Sequence, residues 1–358
     1  MGLAVVILGL FAVNSFLIAE SPEKPVEQGP LPKGNRILAI KANTGKDGDF
    51  DKTFKESLRA GNETQVLPLD WNELETTPGT FKPTTNFLAI ANVYYPALTI
   101  PIHLTLRPVH TSQKVVPTDL MDKPFDDPHT IQRFKNLLDW VATQIPKVAL
   151  TSLTIGSEVD LFMWGNPRRW DAWTNFYAAV APYARKKFPG TLISCETTAA
   201  AFVGPDLPRV QTLHQYSDVI GVSYYPMKEK LSGVKSPESV HADFEIVVNA
   251  IPGKPIIYYQ IGYPSSPALG SSPQRQAAFI TEAFRAWDTH VSRILMLNFQ
   301  WMYETPPNGV DHYVEYYQYD TPNFRSFLGS LGLKSWSGPP KPAWETLKKE
   351  AKARGFGG

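Results

Sequence analysis

Short apolar and β-branched runs recur along the chain, separated by longer stretches in which apolar residues return every three or four positions. Eight runs read as strands: 36–41, 65–70, 102–107, 152–156, 192–196, 219–224, 255–260 and 294–299. Between them the period lengthens to that of a helix. In 131–143 the residues Phe134, Leu137, Leu138, Trp140 and Val141 form one apolar stripe, and in 274–287 Ala277, Ala278, Ile280, Ala283 and Phe284 form another. A further helix is predicted over 170–187. Such stripes are packing faces. Strands alternating with helices specify an α/β protein with a parallel sheet, and eight units favour a single closed (β/α)8 TIM barrel over an open doubly wound sheet.

The N-terminus has a different pattern. Residues 2–19 are almost wholly apolar, and no Lys or Arg precedes Lys24. This predicts a signal peptide over 1–19, with a retained N-terminal anchor as the alternative. Residues 20–34 are predicted to be a Pro-rich linker, since Ser21 to Gly34 holds four prolines and two glycines. The folded unit is then 35–358, secreted or periplasmic, or tethered outside the cytoplasm if the anchor stays. No membrane contact is expected once the signal is removed.

Composition narrows the chemistry. With 35 Lys and Arg against 34 Asp and Glu, a net charge of +1 gives no electrostatic case for a nucleic-acid partner. One cysteine, Cys195, excludes an internal disulfide, and seven scattered histidines do not form a zinc-ligand spacing. No metal or other cofactor is expected. The nearest match to a nucleophile elbow, Gly221-Val222-Ser223-Tyr224-Tyr225, lacks the second glycine, and Thr44-Gly45-Lys46-Asp47 lacks the features of a phosphate loop. His103 lies inside an apolar run and reads as a core histidine. A metal-dependent deacetylase has no ligand set here.

In a (β/α)8 barrel the active site sits at the C-terminal ends of the strands. Those ends carry Asp70 and Trp71, Arg107 and His110, Ser157 and Glu158, Glu196, Tyr224 and Tyr225, Gln260, and Gln300 and Trp301. A sugar ring offers C–H faces to aromatic platforms and a hydroxyl edge to polar side chains. Trp71, Tyr224, Tyr225 and Trp301 are the expected platforms, and Asp70, Arg107 and His110 the expected hydroxyl partners. A carbohydrate is therefore the expected ligand. The competing reading of each aromatic is that it seals the top of the barrel.

Three segments, in order, resemble the clan A glycoside hydrolases, a superfamily of retaining (β/α)8 enzymes. Thr154-Ile155-Gly156-Ser157-Glu158 is similar to the Gly-Asn-Glu acid/base motif after the fourth strand. The segment from Lys254-Pro255 to Gln260-Ile261-Gly262-Tyr263-Pro264 is similar to the Lys-Pro…Glu-x-Gly-Tyr-Pro nucleophile motif after the seventh. Trp71…Glu75…Pro78-Gly79…Phe81 is similar to a further recurring signature. Within the clan, the wording is nearest to the endo-β-1,4-galactanases and, less closely, the endo-β-1,3-glucanases. The resemblance implies a glycoside hydrolase acting on a β-linked saccharide, with Glu158 as acid/base.

Two positions depart from the pattern. A retaining mechanism needs two carboxyl groups roughly 5–5.5 Å apart. The residue matching the nucleophile is Gln260, whose amide cannot attack an anomeric carbon as a carboxylate does. Ser157 stands where the clan has Asn. Three explanations are open: an inactivated variant, a natural barrel that binds glycans without cleaving them, or a takeover by another carboxylate among Glu196, Asp160 and Glu304. If Gln260 is only a silenced nucleophile, Gln260→Glu is expected to restore a retaining glycosidase.

Overall fold

The computed structural model describes residues 29–357, so the predicted signal segment and most of the linker lie outside the described residues. All eight predicted strands are present: β1 (Ile37–Ile40), β2 (Gln65–Asp70), β3 (Ile102–His110), β4 (Leu150–Ser157), β5, β6 (Ile220–Tyr224), β7 (Ile256–Ile261) and β8 (Ile294–Phe299). Strand β5 comes in two pieces, Leu192–Ser194 and Glu196–Thr198, with Cys195 between them. The first piece pairs with β4 and the second with β6. Parallel ladders thus run β1–β8–β7–β6–β5 and β5–β4–β3–β2. Contact between β1 and β2 relies partly on side chains: Asn62 Oδ1 accepts the Ile40 N–H at 3.0 Å, and Lys41 Nζ donates to the Val66 carbonyl at 2.8 Å.

Helices α1 (Phe50–Arg59), α2 (Phe87–Ala97), α3 (Pro128–Gln144), α4 (Pro167–Lys187), α5 (Leu207–His214), α6 (Ser239–Ala250) and α7 (Pro273–Thr289) each lie between consecutive strands. After β8 come α8 (Pro307–Tyr317), α9 (Pro322–Ser330) and α10 (Pro342–Arg354). Several of the prolines mark helix starts. Asp127, Asn166, Ser272 and Thr321 each cap a helix whose first residue is Pro, which has no N–H to leave unpaired and a backbone already set for the helix. The stripe Phe134, Leu137, Leu138 and Val141 is fully buried, as its spacing predicts. Trp140 is only partly buried and stacks on Phe81.

The folded unit reaches further into the predicted linker than position 35. Arg36 and Arg354, both buried under the barrel, share Asp288. Arg36 also donates to the carbonyls of Leu31 and Pro32, and the Lys33 N–H donates to Arg354 O at 2.8 Å. Buried guanidinium groups need these acceptors, and the linker backbone supplies them. Inside the barrel, His103 Nδ1 meets Ser152 Oγ at 2.7 Å, and Ser152 meets the Tyr259 hydroxyl at 2.7 Å. Burial lowers the His103 pKa to about 3, so it is a neutral core histidine. No helix among the described residues is long and apolar enough to cross a membrane.

Candidate active site

A cavity of about 470 Å³ opens at the C-terminal ends of the strands. It is lined by Asp70 of β2, Arg107 and His110 of β3, Ser157 of β4 and Glu158 just after it, Glu196 of β5, Ser223 of β6 and Tyr225 just after it, Gln260 of β7, and Gln300 and Trp301 after β8. The backbone explains why neighbours Ser157 and Glu158 both reach it. Gly156 has φ +82°, and a Cβ there would lie 2.4 Å from Val159 and 2.8 Å from Trp173. Glu158 itself has φ 51°, in the left-handed region. Two such turns in three residues redirect the chain, so the alternation of a strand no longer applies.

Glu158 is buried, and both carboxyl oxygens accept hydroxyl donors: Thr111 Oγ1 to Oε2 at 2.8 Å and Ser223 Oγ to Oε1 at 2.7 Å. Burial raises its pKa above the usual carboxylate value against the pull of these donors. Glu196 accepts from Ser157 Oγ at 2.6 Å and from Gln260 Nε2 at 3.0 Å. Burial, reinforced by the charge of Glu158, pushes Glu196 up to about 8. The Tyr225 hydroxyl donates to Gln260 Oε1 at 2.9 Å, which fixes the amide's orientation.

The expected hydroxyl partners form one cluster. Arg107 Nε lies 2.5 Å from Asp70 Oδ1, and Arg107 also reaches His110 Nε2 at 3.2 Å. Burial and the adjacent Arg107 charge lower His110 to about 4, leaving a neutral imidazole. Burial pushes the Asp70 carboxyl up, but His110 and Arg107 together outweigh it and hold its pKa below the ordinary value. The hydroxyls of Tyr316 and Tyr317 meet the two His110 nitrogens at 2.9 and 3.3 Å.

Two expected platforms are not brought to the cavity. Trp71 is 0% exposed, packs edge-on against Phe134, and donates through Nε1 to Glu75 at 2.7 Å. Glu75 also accepts from the Gly79 N–H and from Arg133, so the Trp-Glu-Pro-Gly-Phe signature holds the loop after β2 in shape and does not line the cavity. Tyr224 is buried behind β6, where its hydroxyl donates to Asp243 and its ring packs on Phe244. Tyr225 and Trp301 do line the cavity, Trp301 stacked on Tyr313 at 5.9 Å. Of the spare carboxylates, Asp160 is spent on the N–H and hydroxyl of Thr198, and Glu304 on Lys341.

The sequence motifs do not point to Thr111, to Ser223 as a sugar-site residue, or to the wall formed by Tyr313, Tyr316 and Tyr317 on α8. The spacing of those three tyrosines, which puts them on one helix face, was the available signal. Lys41 at the end of β1 also lines the cavity; burial and Arg107 lower its pKa to about 7. Among the described residues, no group of three or more His, Cys, Asp or Glu side chains is placed to hold a metal ion.

No protein-family model matches the sequence, and no curated protein matches it. Solved structures do. One is GH5_18 from Streptomyces cattleya in complex with GlcNAc, at 14% identity and TM-score 0.65, covering 91% of this chain and 80% of that one. Another is the exo-β-1,4-mannosidase Op5Man5 from Opitutaceae bacterium strain TAV5, at 17% identity and TM-score 0.66, covering 91% of this chain and 59% of that one. A third is the GH53 catalytic domain of Ignisphaera aggregans, at 15% identity and TM-score 0.58, covering 90% and 98%. The chain is thus a single (β/α)8 barrel, similar in fold to these solved glycoside-hydrolase structures. At these identities the likeness is one of fold, and function must be argued from the site.

Proposed function

We propose that the protein is a retaining glycosidase acting on a β-linked oligosaccharide or polysaccharide, with Glu158 as acid/base. The observation that carries this reading is a buried Glu158 on the wall of a cavity that also presents Trp301, Tyr313 and the Asp70–Arg107–His110 cluster. Its raised pKa allows Glu158 to keep a proton at pH values where an exposed glutamate has lost it. In the reaction it gives that proton to the glycosidic oxygen as the bond to the anomeric carbon breaks, then recovers one from the attacking water. Trp301 and Tyr225 offer ring faces, and Asp70 accepts from sugar hydroxyls. The sugar-bound and mannosidase structures of similar fold support a carbohydrate ligand.

Gln260 favours a second reading, a barrel that binds glycans without cleaving them, because a neutral amide stands at the position matching the nucleophile. One experiment separates the two. A panel of β-linked oligosaccharides, including β-galactan and β-glucan fragments, is assayed for binding and for release of reducing sugar, with Glu158→Ala as control. Hydrolysis that the substitution abolishes supports the glycosidase. Binding without hydrolysis supports the second reading.

Export belongs to the same proposal, since a polysaccharide substrate lies outside the cell and residues 2–19 have the composition of a signal. Mature protein starting near Glu20 is the expected result. Recovery of the intact N-terminus in the membrane fraction would instead indicate the anchor.

A further inference from the structure

We propose that Glu196, and not the residue at position 260, is the nucleophile of this site, with Gln260 and Ser157 as its positioning residues. The inference rests on the glycosidase reading above. Four observations carry it, beginning with place. Glu196 follows the break in β5 at Cys195, lines the cavity together with Glu158, and is in hydrogen-bond contact with Gln260 itself. The carboxyl is therefore displaced by one side chain from the position that the sequence motif marks.

The second observation is what Glu196 lacks. A buried carboxyl kept for structural reasons is normally matched by a cation, because desolvating a lone charge is costly. Glu75 has Arg133, Glu304 has Lys341 and Asp70 has Arg107, while Asp160, which does not line the cavity, is held by the N–H and hydroxyl of Thr198. Among the described residues, Glu196 makes no ion pair; its partners are the hydroxyl of Ser157 and the amide of Gln260. Neutral donors orient a carboxylate without quenching its charge. That is the condition a nucleophile needs.

Third, the amide is oriented for this task. Tyr225 occupies Gln260 Oε1, so Nε2 faces Glu196. A glutamate at position 260 would present a second negative charge instead. Fourth, among the described residues no other carboxyl on the wall is free for the role. Asp70 is ion-paired, Glu73 is exposed, and Asp160 does not line the cavity. Burial raises the pKa of both Glu158 and Glu196, and the charge of Glu158 raises Glu196 further, so ionisation of one of the two favours the other's keeping its proton.

The chemistry balances with water as the only other reactant. An ionised Glu196 oxygen bonds to the anomeric carbon as that carbon's bond to the leaving oxygen breaks, and the Glu158 proton goes to the leaving oxygen. Water then attacks the same carbon and gives its proton to Glu158. The electron pair of the ester bond returns to Glu196.

The test uses the full-length protein and an activated dinitrophenyl β-glycoside of a sugar that the wild type hydrolyses. Glu196→Ala and the near-isosteric Glu196→Gln should each lower turnover by about a thousandfold or more. Sodium azide should restore dinitrophenol release by Glu196→Ala and give the α-glycosyl azide, since azide enters on the face the carboxylate has vacated. Azide with Glu158→Ala should give the β-glycosyl azide. In the wild type, a 2-deoxy-2-fluoro glycoside should label the peptide that contains Glu196, a readout that needs no variant to fold. A β-azide from Glu196→Ala, a label elsewhere, or near-normal turnover by Glu196→Gln would overturn the assignment while leaving the glycosidase reading intact. A wild type that hydrolyses nothing it binds would overturn both.

Discussion

Gln260 Nε2 donates to Glu196 Oε1 at 3.0 Å, and the direction of that bond is set by Tyr225, whose hydroxyl holds the other end of the amide at 2.9 Å. The sequence motif alone marks Gln260 as a silenced nucleophile, to be revived by Gln260→Glu. With Glu196 as the proposed nucleophile, the opposite outcome is expected. The substitution removes a donor from Glu196 and sets a like charge beside it, which disfavours its ionisation. We predict that kcat/KM falls by roughly tenfold or more, since each 1.36 kcal/mol of barrier is about tenfold in rate. A gain in kcat/KM would return the nucleophile to position 260.

Stability should depend on pH through the same carboxyls. Glu196 is raised by burial to about 8 and Asp160 to about 7, against an unfolded value near 4 for such groups. A carboxyl whose folded pKa is raised contributes fully at low pH, and its contribution is lost as pH climbs from the unfolded value through the folded one. The melting temperature of the wild type should therefore decline between pH 5 and pH 9. Glu196→Gln, which cannot ionise, should flatten that decline. Parallel pH profiles for the two proteins would contradict the prediction.

The two tryptophans expected as platforms should separate cleanly. Trp71→Ala empties a fully buried site and should cost about 3–5 kcal/mol of folding stability by denaturant titration. Trp301→Ala should weaken oligosaccharide binding by roughly 1–3 kcal/mol, read by calorimetry, with a smaller effect on unfolding. A Trp301 variant that melts early but binds normally would make that ring a packing element.

The ion pair at the cavity wall gives a fourth case. Arg107→Ala strands the Asp70 carboxylate in a mostly buried place and should destabilise by about 3–5 kcal/mol. Adding Asp70→Asn should recover part of the loss, because the uncompensated charge is then gone. Additive losses in the double variant, measured as a mutant cycle, would show that the two residues act independently.

The barrel was legible because its signal is repeated: eight β-branched runs separated by helical stripes leave little choice of architecture. Its irregularities were less so. Strand β3 runs on to His110 and β5 breaks at Cys195, neither of which alters the hydrophobic pattern. At the site, the polar residues at strand ends were found because polar groups there have few other uses. The aromatics divided by direction. Ser223 and Tyr225 line the cavity while Tyr224, between them, points into the core, as alternation along a strand requires. Trp71 is the first residue of a helical turn after β2 and is carried away from the cavity that Asp70 faces. The tyrosine wall of α8 is remote in sequence from every motif, so only the fold brings Tyr316 to His110.

In the proposed reaction, acid catalysis from Glu158 breaks the glycosidic bond in this cavity. It is tested most directly by steady-state release of the aglycone from a panel of aryl β-glycosides, comparing the wild type with Glu158→Gln at neutral pH. Release by the wild type is expected well above the enzyme-free rate on at least one sugar, with a loss of about a hundredfold or more in the variant on a substrate whose leaving group needs protonation. Saturable binding of the same sugars with no release by the wild type, or equal release by both proteins, would contradict it.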